Sequence, residues 1–180
     1  LSLKRFQTDY IDVYFSHKDD ENTSIKDTLD TLATLVKAGK VKHLGASNFS
    51  LERLKESITY SEDQDIPRYE VYQPEYNLMK RAEFEGGYQE FCRKNEISVT
   101  SYFTLASGFL TGKYQSKEDA KGRAREGYVS KLFNEKGYQV LETLSDIAKV
   151  HSVSQAAVTL AWTMAQPAIT APIASATRLE

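Results

Sequence analysis

The chain has 180 residues, with 23 Lys and Arg against 25 Asp and Glu, for a formal net charge of −2. That length supports one good core, and the near balance of charge gives no electrostatic reason to expect nucleic acid or an anionic membrane as partner. The single cysteine, Cys92, excludes an internal disulfide and fits a reducing, cytoplasmic setting. No apolar run approaches a membrane span, and the opening LSLKRFQTDY carries neither a signal-peptide core nor an initiator Met, so the native start is expected upstream.

In chain order, SLKRF reads as the end of a helix. A first strand follows in YIDVYF (Tyr10 to Phe15). SIKDTLDTLATLVKAGK places Ile25, Leu29, Leu32, Leu35 and Val36 at helical spacing, with Ser24 as N-cap and Gly39 as stop. VKHLGAS (Val41 to Ser47) is the second strand. LERLKESITY is a helix with Leu51, Leu54 and Ile58 on one face and Ser50 as cap. YEVYQ (Tyr69 to Gln73) is the third strand. EFEGGYQEFCRKNE is a helix weakened by Gly86 and Gly87, and ISVTSYF (Ile97 to Phe103) is the fourth strand. The strands recur about every 30 residues, the length of one strand–helix unit. The spacing breaks after Phe103, where Thr104 to Tyr128 reads as a long irregular connection. Two helices follow, one burying Leu132, Val140, Leu144 and Ile147, the other burying Ala157, Leu160, Ala161 and Met164 under a Ser152 or Ser154 cap. ITAPIAS closes the series as a strand whose Pro172 suits a strand end or edge.

Alternating strands and helices predict a parallel α/β sheet with helices outside. Five right-handed units suit either an open doubly wound sheet or a section of a (β/α)8 barrel. A whole barrel takes about 250 residues, so residues 1–180 would be a single partial barrel domain of about five units, cut at SLKRF and at TRLE.

Ligands of parallel α/β folds bind beyond the carboxyl ends of the strands. Those ends carry Ser16–His17–Lys18–Asp19, Gly45–Ala46–Ser47–Asn48, Gln73–Pro74–Glu75–Tyr76–Asn77, Tyr102–Phe103–Thr104 and Ala174–Ser175–Ala176–Thr177–Arg178. One such cluster is ordinary loop chemistry; five on one face point to a site. His17 is the sharpest candidate, because an imidazole there can donate to a carbonyl oxygen or exchange a proton near neutral pH. His43, inside a strand, and His151, at a helix end, suit structural roles. The acidic run Asp19–Asp20–Glu21 reads as a solvated loop, and no His, Cys, Asp and Glu set has zinc spacing. SGFLTGKY (Ser107 to Tyr114) has the look of a phosphate loop but is not a P-loop. Gly108 and Gly112 enclose only three residues, and Tyr114 follows Lys113 where Ser or Thr is needed. An anion site built from backbone N–H groups and small hydroxyls remains open to it.

TDYIDVYFSH, KAGKVKHLGASNFS, VYQPEYNLMKR, SYFTLASGFLTGKY and ITAPIASATRLE, in that order, resemble the aldo-keto reductases, and most closely the bacterial and fungal branch with the LASGFLTGKY loop. The resemblance implies strands four to eight of a TIM-type (β/α)8 barrel, and a parent that reduces aldehydes and ketones to alcohols with NADPH. A small carbonyl compound would be the substrate, with no nucleic acid, membrane or metal involved. It assigns His17 to orienting and polarising the carbonyl. It assigns Ser47, Asn48 and Gln73 to the nicotinamide carboxamide, and Tyr102 to stacking on the nicotinamide. Leu105, Ser107, Gly108 and Lys113 fall to the pyrophosphate, and Ser175, Thr177 and Arg178 to the adenosine phosphate, where an Arg favours NADPH. Phe103–Thr104 stands where many members have Ser–Pro after the stacking ring. The family's catalytic Tyr, Lys and Asp precede its fourth strand, so this segment alone is expected to be inactive, and Tyr10, Tyr14 and Lys18 do not replace them. The alternatives are a nicotinamide-binding regulatory subunit with little turnover, of the potassium-channel β type, and a non-catalytic barrel fragment. Which carbonyl compound is reduced, and the oligomeric state, stay open.

Overall fold

A computed structural model of the chain describes residues 2–176. The chain divides into two compact units, Leu1–Pro74 with Gly87–Val99, and Glu75–Gly86 with Thr100–Glu180. Its strands form a five-stranded sheet in chain order.

The first unit opens with α1 (Ser2–Phe6), β1 (Ile11–Ser16), α2 (Ile25–Lys37), β2 (Val41–Ser47), α3 (Leu51–Asp63) and β3 (Tyr69–Gln73). The strands pair in parallel, with Ser16 beside Ala46 and Ser47 beside Gln73, so their carboxyl ends fall on one edge of the sheet. Both helices start as their sequences predict. Ser24 Oγ accepts from Asp27 N at 3.0 Å, and Ser50 Oγ accepts from Arg53 N at 3.2 Å. Gly39, at φ 67°, closes α2 in the left-handed conformation. Ile25, Leu29 and Leu32 of α2 and Leu54 and Ile58 of α3 are buried, as are Val41, Leu44 and Ala46 of β2.

The predicted helix around Gly86 and Gly87 is shorter than its sequence suggested. The chain makes a wide turn over Phe84–Tyr88, kinks where Gly87 takes φ 153°, and only then forms α4 (Gln89–Lys94). The next strand, β4 (Ser98–Ser101), pairs in parallel with β3. It stops before Tyr102 and Phe103, because Phe103 turns to φ 52°.

In the second unit the connection after Phe103 is less irregular than expected. It contains a 3₁₀ turn over Ala106–Thr111, then α5 (Lys117–Ala120) and α6 (Glu126–Val129). It leads to α7 (Glu135–His151), α8 (Gln155–Met164) and β5 (Ile169–Pro172). Ala106, Phe109, Leu110, Tyr114, Val129, Phe133, Leu141 and Leu144 form its core.

Two helix faces differ from the predicted ones. Asn134 caps α7, so the helix starts after Leu132 and buries Gly137, Leu141, Leu144 and Ala148, while Ile147 is exposed. In α8 the buried residues are Thr159 and Thr163, and Ala157, Ala161 and Met164 face outward. The threonines can be buried because their hydroxyls bond one turn back, Thr159 to Gln155 O at 2.9 Å and Thr163 to Thr159 O at 3.0 Å. Ser154 Oγ caps α8, whereas Ser152 ends α7 at φ 53°. Strand β5 ends the sheet order and has Pro172 as its last residue.

Candidate functional site

In the first unit the ends of β1, β2 and β3 are joined by one chain of hydrogen bonds. Ser47, buried at the end of β2, donates from Oγ to Gln73 O at 2.8 Å. Asn48 donates from Nδ2 to Ser47 Oγ at 3.0 Å and to His17 O at 2.8 Å. The parallel register sets this up by putting Ser47 level with Gln73 and one residue before the turn. Asn48 sits at φ 56°, a conformation that Asn tolerates better than most residues. His17, Ser47, Asn48 and Gln73 are therefore brought together, with the His17 side chain exposed.

The loop after His17 is clamped from α3. Arg53 donates from Nε to Asp19 Oδ2 at 2.7 Å, from Nη2 to Asp19 Oδ1 at 2.9 Å and from Nη2 to Thr23 O at 3.0 Å. The Asp19 carboxylate holds the Arg53 guanidinium in its charged form even more firmly than usual, against a smaller cost of burial. Asp19, which reads as a solvated loop residue in the sequence, has a side chain only 10% exposed. Under the same strand end, Tyr69 OH and Ser16 Oγ share a 2.8 Å hydrogen bond, and burial pushes the Tyr69 phenol up.

In the second unit Tyr102 is half-buried just past β4. Its carbonyl accepts from Tyr76 N at 3.3 Å, and its ring lies edge-on to Phe103 with centroids 5.2 Å apart. Burial, then the nearby Glu75 carboxylate, raise its phenol. Asn77, fully buried, donates to Phe103 O at 3.1 Å and accepts from Met79 N at 2.9 Å and Lys80 N at 3.0 Å. Glu75 accepts from Lys80 Nζ at 2.9 Å and from Tyr128 OH at 2.6 Å. Burial and that bond push the Tyr128 phenol up to about 12.

The glycine loop follows. Ala106, Ser107 and Gly108 take φ of 47°, 57° and 91° in succession, and Gly112 takes 75°. The turn closes on itself, with Ala106 N donating to Phe103 O at 2.7 Å and Gly108 N donating to Leu105 O at 2.9 Å. Lys113 folds over Gly108, where a Cβ would come within 2.5 Å of Lys113 Cε and 2.6 Å of its Nζ. Ser107 Oγ is buried and has no hydrogen-bond partner among the described residues. The unpartnered Ser107 hydroxyl and the Lys113 ammonium beside Gly108 are donors of the kind a phosphate takes, so the loop's side chains fit a nucleotide's phosphates. Leu105 precedes this turn, half-buried. Ser175 lies past β5 and is exposed. Thr177 and Arg178 lie outside the described residues.

Arg53 and Tyr128 carry no sequence signal that separates them from ordinary surface residues. Glu75 and Asn77 stand in a strand-end cluster, which is the signal that reaches them.

Parallel strands joined by helices, with hydrogen-bonding groups gathered at their carboxyl ends, define an α/β protein with the strand–helix order of part of a (β/α)8 barrel. The Aldo/keto reductase family model matches residues 1–180. The chain belongs to that family, a family of oxidoreductases. It is 31% identical to the L-glyceraldehyde 3-phosphate reductase of Escherichia coli (strain K12), over 99% of this chain and 53% of the relative. It is 29% identical to the NADP(+) aldo-keto reductase yakc of Schizosaccharomyces pombe, over 100% and 53%. It is also 29% identical to a probable voltage-gated potassium channel subunit beta of Arabidopsis thaliana, over 98% and 56%. The chain thus spans about half the length of the curated relatives it matches. Among the described residues no helix is long and apolar enough to cross a membrane.

Proposed function

We propose that the chain is the cofactor-holding part of an NADPH-dependent aldo-keto reductase that reduces aldehydes or ketones to alcohols in the cytoplasm. The observation that carries this reading is the hydrogen-bond chain from Gln73 O through Ser47 and Asn48 to His17 O, at three adjacent strand ends. It gathers small polar donors and acceptors of the kind a carboxamide uses, and it anchors the His17 backbone beside them, with the imidazole exposed. Bound NADPH would supply the hydride. In this reading Ser47, Asn48 and Gln73 hold the carboxamide and Tyr102 offers its face to the nicotinamide. Leu105, Ser107, Gly108 and Lys113 hold the pyrophosphate, and Ser175, Thr177 and Arg178 serve the adenosine phosphate. His17 donates from its ring N–H to the substrate oxygen, orienting the carbonyl and stabilising the negative charge that gathers on that oxygen. A tyrosine acid belonging to the rest of the protein would deliver the proton, so these residues by themselves bind and orient rather than turn over.

The test is reduction of 4-nitrobenzaldehyde by the intact gene product, followed at the nicotinamide absorbance. NADPH-dependent turnover is expected, with NADH poorer. No turnover across a broad aldehyde panel while the protein binds cofactor would sink the enzyme reading. That outcome would leave a nicotinamide-binding regulatory subunit, which the likeness to a probable channel subunit favours.

A further inference from the structure

The glycine loop has a second surface, the polar edge of α8, to which no role has been assigned. Three observations meet there. Thr159, fully buried, lies with Oγ1 3.3 Å from Leu110 O and 2.9 Å from Gln155 O, so one hydroxyl proton is shared between the loop and its own helix. Gln155, one turn earlier on the same edge, lies so close to Gly112 that a Cβ on that glycine would overlap its carboxamide. Its Oε1 is buried and has no partner among the described residues. In α8 Val158 packs on the core and Trp162 on Tyr76, Thr159 and Thr163 are the most deeply buried residues, and Ala157, Ala161 and Met164 face solvent. The threonine hydroxyls are satisfied by carbonyls, so the polar atom whose burial costs free energy on this edge is Gln155 Oε1.

We propose that Gln155 and Thr159 are positioning residues for cofactor binding, holding Leu110 to Gly112 in the shape in which the preceding Ser107, Gly108 and the following Lys113 receive the phosphates. This rests on the reading of the loop as the NADPH pyrophosphate site. Thr159 fixes the loop by its carbonyl, and Gln155 fixes it by filling the space behind Gly112. Gly112 is glycine for its φ of 75°, and the absence of a Cβ leaves the Gln155 carboxamide room at its back.

The experiment uses the full-length gene product. NADPH affinity is measured by quenching of protein fluorescence for the wild type, Thr159→Val, Thr159→Ser and Gln155→Leu. Amide exchange across residues 107–113 is followed without cofactor. Thr159→Val keeps the shape and removes the proton. It is expected to weaken NADPH binding about tenfold, the worth of one lost hydrogen bond, and to speed exchange in the loop, with Tm close to wild type. Thr159→Ser is expected to restore binding to within about twofold, since it retains the donor. KM for NADPH should rise while kcat at saturating cofactor holds, because a loop that binds cofactor poorly still presents it correctly once filled. Wild-type affinity in both Thr159→Val and Gln155→Leu overturns the proposal, as does a loss in Thr159→Val that Thr159→Ser does not restore. A wild type that binds no nicotinamide cofactor overturns the functional reading itself and this proposal with it, so the two failures are told apart.

Discussion

Asn48 holds two strand ends with one side chain while its backbone sits at φ 56°. Two substitutions separate these roles. Asn48→Gly keeps the backbone at ease and removes the hydrogen bonds, whereas Asn48→Ala removes the bonds and adds strain of about 1 kcal/mol. Both are expected to weaken NADPH binding about tenfold. Asn48→Ala should unfold at lower urea than Asn48→Gly, and equal midpoints would refute the strain argument. Cys92 offers a second residue-scale test. It is buried, and burial pushes its thiol up to about 12, so almost no thiolate exists at neutral pH. Labelling by an aromatic disulfide reagent at pH 7 should be negligible in the folded protein and complete in urea. Rapid labelling without denaturant would contradict the packing around α4.

At the scale of elements, the Arg53 fork fastens the loop after β1 to the first turn of α3. Arg53→Ala leaves a mostly buried carboxylate unpaired and should cost about 2–3 kcal/mol, while Arg53→Lys keeps charge, loses the paired geometry and should cost about 1 kcal/mol. Urea unfolding checks the ranking, and equal costs would mean that charge alone matters. In α7, Gly137→Ala would ordinarily favour a helix. Here the added Cβ would overlap the Leu132 carbonyl and come within 3.2 Å of Phe109 Cζ. Destabilisation of about 1–3 kcal/mol is expected, read as a lower Tm. The elements also show where sequence reading stops. The spans of β2 and β3 and the caps Ser24 and Ser50 were legible, because period, β-branching and a hydroxyl before an apolar run are local signals. The buried faces of α7 and α8 were not. Which stripe faces inward there depends on Phe109, Leu132 and Leu110 arriving from elsewhere in the chain. Arg53 was equally silent, since its partner Asp19 lies 34 residues away.

For the whole molecule, the strand–helix order and the family were readable from end to end, because each motif falls at a strand end where the fold keeps its polar groups. The fold also sets a response to acid. Glu85 accepts from Arg81 Nε at 2.8 Å and from Tyr76 OH at 2.7 Å. The Arg81 bond, opposed by burial and joined by the Tyr76 bond, holds its carboxyl below the ordinary value of 4.5. A depressed carboxylate contributes stability that is present above 4.5 and is lost as pH falls through the folded value. Wild type should therefore be more stable than Glu85→Gln at pH 7, with the gap in Tm closing below pH 4.5. A gap that stays constant down to pH 3 would show that the charge does not contribute.

Ala106 and Ser107, both non-glycine residues at positive φ just ahead of Gly108, carry a consequence for anyone engineering heat resistance into this protein. Left-handed backbone in such residues costs of order 1 kcal/mol each. Ser107→Gly would release that strain and is an obvious stabilising substitution. It would also delete the unpartnered hydroxyl that suits the loop to a phosphate. A screen ranked by melting temperature alone would thus select for variants that survive heating and hold their nucleotide less well.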